Sequence, residues 1–104
     1  MTSFDKREAA FENRFAHDAD LRFRVAARRN RLIGDWAARH LGLSGDEADA
    51  YAKSVVVADL EEAGDEDVIR KLVADLAPAG INDATIRAQL VEQARLARQQ
   101  IESE

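Results

Sequence analysis

Residues 44–64 read SGDEADAYAKSVVVADLEEAG, and the three valines at the centre of that stretch decide the fold. Taken alone, SVVVA is the best strand candidate in the chain, since β-branched residues favour extended backbone. Its surroundings argue otherwise. Ala48, Tyr51, Ala52, Val55, Val56 and Leu60 form an apolar stripe at helical spacing that crosses the valines without a change of period. Ser44 and Glu47 have the spacing of a capping box, which places a helix start at Ser44, and Gly64 is the expected stop. With its one strand candidate reassigned, the chain reads as all-α.

Downstream, Asp65 is placed to cap a short helix bearing Val68, Ile69, Leu72, Val73 and Leu76, ended by PAG at 78–80. Asn82 is placed to cap another, with Ile81 and Ile86 as a hydrophobic staple and Ile86, Leu90, Ala94, Ala97 and Ile101 as its stripe. Upstream, helical pattern runs from about Phe4 to Leu41 with Gly34 as its only glycine and no proline, and Gly42 follows as a left-handed stop. Unbroken, that helix would be roughly 55 Å long. It must either project or break, and AHDAD at 16–20 is the expected hinge, with Asp18 or Asp20 capping a new start. Short connections between apolar-faced helices favour antiparallel neighbours, hence a four-helix bundle with a long N-terminal helix.

The 104 residues suffice for one core, and 46% apolar with 34% charged residues is the composition of a globular domain. The first residues carry charges where a signal peptide has an apolar stretch, and no window approaches the ~18 apolar residues of a spanning helix. The expected location is therefore the cytoplasm, without membrane insertion. Absence of cysteine removes disulfides, thiolate nucleophiles and cysteine-based zinc sites. His17 and His40 lie too far apart on one helix to share a metal, no glycine-rich phosphate loop exists, and no serine sits in a nucleophile elbow. The chain is not expected to be an enzyme or to carry a metal.

Charge is unevenly spread around the net −5. Five arginines and no acid lie between Arg22 and Arg31, whereas nine acids and one base, Lys53, lie between Asp46 and Asp67. Asp18 with Arg22 and Asp20 with Arg24 have the i,i+4 spacing of helix-stabilising pairs. Arg28 and Arg29 have no acid at that spacing, which leaves them solvent, the acidic surface of 46–67, a protein partner or a phosphate. Phe4, Phe11 and Phe15 share one face of the first helix. Val25, Leu32, Ile33 and Trp36 already give that helix a face long enough to span its partners, so the phenylalanines would overhang, as anchors for helix-in-groove recognition do.

The stretches FDKREAAFENRFAHDADLRFRVAARRNRLIGDWAARHLGL (4–43) and AYAKSVVVADLEEAGDEDVIRKLVAD (50–75) resemble the zeta subunit of the alphaproteobacterial F-type ATP synthase, most specifically in ARRN, WAA and GDEDV, in that order. Beyond Pro78 the last helix rests on its own pattern. The resemblance implies a natural inhibitor of ATP hydrolysis, with a mobile inhibitory segment over residues 1–19 and a four-helix bundle over 20–104. In that family the segment becomes helical as it wedges between a catalytic alpha/beta pair and the central stalk, blocking hydrolytic rotation. Carried over, Phe4, Arg7, Phe11, Arg14 and Phe15 would be the partner-binding residues. The resemblance also implies weak adenine-nucleotide binding, with Arg28, Arg29 and Asn30 as candidates, and otherwise no cofactor. The implied partner is the synthase's catalytic head, at the cytoplasmic face of the inner membrane, with a monomer when free and no nucleic acid bound. His17, near the end of the segment, is a candidate pH-responsive group, against an exposed histidine without a role. From the residues alone the rival readings are a non-enzymatic helical adaptor and a small nucleotide- or nucleic-acid-binding module whose affinity would fall steeply with salt.

Overall fold

The computed structural model describes residues 2–59 and 64–104, with the backbone alone over 2–18. Four helices account for nearly all of it: α1 (Thr2–His40), α2 (Gly45–Ala58), α3 (Glu66–Leu76) and α4 (Asp83–Glu102), with a 3-10 turn at Ala77–Ala79 between the last two. The all-α four-helix arrangement expected from the sequence is the observed one. The valines at 55–57 are helical, inside α2.

α1 does not break at AHDAD; it runs through those residues as one helix. Nothing in the stretch forbids this, since Ala16 to Asp20 contains neither glycine nor proline, and capping by an aspartate is an option rather than a requirement. The helix ends where Gly42 takes φ +76°. The Leu43 amide donates to the Ala38 carbonyl at 2.9 Å and the Gly42 amide to that of Arg39 at 3.2 Å, the two bonds of a Schellman motif.

α2 and α4 both run antiparallel to α1. Gly34 is what lets α2 come close: a Cβ built on it would lie 2.7 Å from the Ala52 Cα. Small residues therefore carry this contact, and Ala37, Ala38 and Ala52 are buried with Ile33 while Val25, Leu32 and Trp36, expected as the main face, are only half-buried at its margins. α3 closes the core with Val68, Ile69, Leu72 and Leu76, and α4 supplies Ile86, Leu90, Ala97 and Ile101. Tyr51 and Asp75 join α2 to α3, the hydroxyl donating at 2.8 Å, with Lys71 also on Asp75 at 2.9 Å and over the Tyr51 ring. Burial and the Asp75 carboxylate together raise the Tyr51 pKa well above the usual phenol range.

Two of the expected caps hold position without the expected bond. Ser44 is the N-cap of α2 by backbone geometry, yet its side chain makes no capping hydrogen bond, and the same is true of Asp65 before α3. Asp65 is instead drawn to Arg29 of α1, 2.9 Å away. Asn82 does cap α4, its Oδ1 accepting from the Thr85 amide at 2.9 Å, and Ile81 packs against the core beside buried Ile86. α2 ends at Ala58, short of Gly64, which lies at φ +90° just before α3. Leu60, expected on the α2 stripe, lies outside the described residues.

Candidate functional site

Two partners of α1, α2 and α4, stop at nearly the same level. Glu104, just past the end of α4, meets Arg24 at 2.9 Å and Arg28 at 2.6 Å, and Asp59, just past the end of α2, lies 3.8 Å from Arg29. α1 begins at Thr2, so it continues beyond this collar for some ~30 Å by helical rise. The molecule is correspondingly long, 63 × 25 × 21 Å.

Continuity of α1 fixes the register of the overhang. Positions 4, 11, 15, 22, 26, 29 and 33 succeed one another at spacings of three, four and seven, which keeps them within roughly 60° of one line on the helix. The line that carries buried Ile33 within the bundle is thus the line that carries the sequence positions of Phe4, Phe11 and Phe15 beyond it. Side chains of Phe4, Arg7, Phe11, Arg14, Phe15 and His17 lie outside those described, as does the expected Asp18 to Arg22 pair.

The arginine run is mostly spent on holding the collar together. Arg29, with a side chain only 11% exposed, donates to the Asn30 Oδ1 through Nε and Nη2 at 3.0 and 2.8 Å and reaches Asp59 and Asp65 on either side of the α2–α3 connection. Of the fates open to it, the acidic surface of 46–67 is the one realised. Arg31 pairs with Asp35 and with Asp49, which Lys53 also holds. The Lys53 ammonium, followed by the Arg31 guanidinium, keeps the Asp49 carboxyl below the usual carboxylate range. Arg28 turns the other way, to Gln100 at 3.0 Å and to Glu104. Arg24 also goes to Glu104, not to Asp20 as helical spacing suggested. The Arg28 hydrogen bond in turn holds the Glu104 carboxyl below its ordinary range.

Arg28, Arg29 and Asn30, the candidates for nucleotide, therefore do not converge. Consecutive helix positions diverge by about 100° each. Asn30 is buried, Arg29 faces the α2–α3 connection and Arg28 faces α4. His40 is exposed at the far end of α1, with its ring edge-on to Trp36 at 4.8 Å.

One residue the sequence did not single out is conspicuous at the collar. Phe23 is 64% exposed, and Arg22 beside it is exposed and forms no ion pair with any described acid. The signal available was an aromatic residue set between two arginines and off the apolar line. Among the described residues no helix is long and apolar enough to cross a membrane.

The geometry is that of a bundle from which one helix projects. No curated protein matches the chain. A protein solved by solution NMR is 47% identical over 80% of this chain and 96% of its own, with a TM-score of 0.73. The family model described as ATPase inhibitor subunit zeta matches residues 1–100. That match takes in nearly the whole chain, which belongs to the ATPase inhibitor subunit zeta family.

Proposed function

We propose that this chain inhibits ATP hydrolysis by an F-type ATP synthase by inserting the part of α1 beyond the collar into the catalytic head, between an alpha/beta pair and the central stalk, so that hydrolytic rotation is blocked. The observation that carries this reading is the overhang: a member of an ATPase inhibitor family holds α1 in a bundle only as far back as Arg24. A helix whose apolar line continues past its own bundle has a face to offer a groove. Phe4, Phe11 and Phe15 are the proposed anchors on that line, and Arg7 and Arg14 the proposed ionic contacts. The role is regulatory, exercised where the synthase meets the cytoplasm, with the bundle remaining outside the head as a stop. Residues 1–19 form the working segment and 20–104 the bundle that carries it.

Adenine nucleotide, if bound at Arg28, Arg29 and Asn30, would have to displace Glu104, Asp59 and Asp65 from the arginines. That makes it a weak, competing ligand of the collar, and equilibrium dialysis at millimolar nucleotide is the direct check.

The test is ATP hydrolysis by the isolated catalytic head, titrated with the full chain and with a version lacking residues 1–19. Inhibition by the first and none by the second is expected. Equal inhibition by both would end the wedge reading, and binding without inhibition would make the chain an adaptor. Repeating the titration from pH 6 to 8 with His17→Ala tests the proposed pH response, which an unchanged profile removes.

A further inference from the structure

Phe23 sits on a ridge between two hollows. Towards α2 is a crevice of about 190 Å³ whose walls are Ala26, Ala27 and Val56 and whose floor holds Asn30 and Asp59. Towards α4 is a shallower hollow of about 330 Å³ lined by Arg24, Ala27, Arg28, Arg31 and Ile101. Both exist because α1 carries alanine at 26 and 27 where α2 and α4 reach their ends. Val57, next along α2, is 56% exposed. A phenylalanine that is two-thirds in solvent beside an apolar crevice is an uncompleted contact.

We propose that this collar is a second docking site for the catalytic head, taking one large apolar side chain of the head into the α1–α2 crevice against Phe23, with a head carboxylate meeting Arg22. The inference rests on the inhibitor reading above. Three observations select this occupant. The crevice is smaller than the ~300–1,000 Å³ of small-molecule sites, and its size suits a single side chain. Arg22 is the exposed arginine of the run without an acid among the described residues, whereas Arg24, Arg28 and Arg31 have theirs, so a carboxylate approaching the collar finds one open cation next in sequence to Phe23. Position supplies the third: Phe23 lies one turn past residue 19, so a head that takes in residues 1–19 reaches the collar next. A buried aromatic anchor ringed by polar contacts is the anatomy of an interface hot spot.

The experiment uses the full chain with Phe23→Ala, Ala27→Leu and Arg22→Glu, reading inhibition of the catalytic head and the recovery of hydrolysis after dilution. Phe23→Ala removes the anchor, and Ala27→Leu plugs the crevice from inside. Each is expected to speed recovery about tenfold, equivalent to ~1.4 kcal/mol of binding, while saturating protein still blocks hydrolysis fully. Arg22→Glu is expected mainly to slow the onset of inhibition, as rim charges act on association. Thermal unfolding of Phe23→Ala at the wild-type midpoint confirms that the fold is intact. Recovery from Phe23→Ala and Ala27→Leu at the wild-type rate overturns the collar site and leaves the inhibitor reading standing. Failure of the wild-type chain to inhibit would instead remove the reading on which the site rests.

Discussion

α1 is one helix in two settings. From Arg24 to His40 it is enclosed by α2, α3 and α4, its apolar line is buried at Ile33 and Ala37, and Arg24, Arg28, Arg29 and Arg31 are all paired. Before Arg24 the same helix runs on past the ends of α2 and α4. A stretch of helix without tertiary contacts gains little stability of its own, because most helical stability in proteins comes from packing. The lesson is that the first setting stabilises the molecule, whereas the second is free to be stabilised by something else. Stability and inhibition should therefore separate along a single helix at Phe23.

The separation is largest for deletion of residues 1–19. Inhibition is expected to vanish, while unfolding of the remaining chain, followed by circular dichroism, keeps a midpoint within about 0.5 kcal/mol of the full chain. A large loss of stability would mean that the overhang is packed on the bundle, and the comparison would fail. Within the bundle, Leu72→Ala is the opposite case. The side chain is fully buried, so truncation should cost ~2–5 kcal/mol, a large part of the ~5–15 kcal/mol total, and act on inhibition only through loss of folded protein.

Gly34→Ala sharpens the contrast because its sign depends on packing. In an exposed helix, Gly to Ala gains ~1 kcal/mol. Here the new Cβ meets the Ala52 backbone at 2.7 Å, which cannot swing aside as a flexible side chain would, and overpacking of ~1–3 kcal/mol should leave a net loss. Chemical denaturation distinguishes the two signs directly. Comparable in size is Arg29→Met, which leaves the buried Asn30 Oδ1 without its two donors and frees Asp59 and Asp65. A cost of ~1–3 kcal/mol follows for the orphaned acceptor. Its effect should concentrate in hydrogen exchange at the N-terminus of α3.

Helices, their order and most of their ends were legible because each rests on local chemistry: Gly42 and Gly80 at positive φ, Asn82 as a bonded cap, and a helical period carried through the valines. What was not legible depends on contacts distant in sequence. Ser44 and Asp65 occupy cap positions without capping bonds, and for Asp65 the competing partner is Arg29 of another helix. Spacing paired Arg24 with Asp20, but a local pair at that distance contributes only a few tenths of a kcal/mol, and Glu104 from 80 residues away took its place. Phe23 was not legible for the same reason: an aromatic residue off the apolar line is normally unremarkable, and only the end of α2 beside it makes it the edge of a crevice.

The smallest expected effect concerns the carboxylate that closes the collar. Glu104 is joined to Arg28 and Arg24, and the Arg28 hydrogen bond, followed by its charge, depresses the carboxyl pKa. A folded-state pKa below the unfolded value means that the contribution is fully present above the unfolded carboxylate range and is lost as pH falls through the depressed value. The side chain is 46% exposed, so solvent and salt screen the pair and the contribution is small. Asp49 and Glu92 are depressed as well and titrate in the same direction, so acid unfolding of the wild type alone would not isolate Glu104. The difference between wild type and Glu104→Gln does. At neutral pH and low salt, wild type should be slightly more stable; the gap should close on acidification and also in molar salt. Inhibition should remain unchanged, because Glu104 ties α4 to the enclosed side of α1 and not to the overhang. Weakened inhibition at equal stability would show that this clasp also sets the direction in which α1 leaves the bundle, and the boundary between the two settings would then lie at Arg28, not at Phe23.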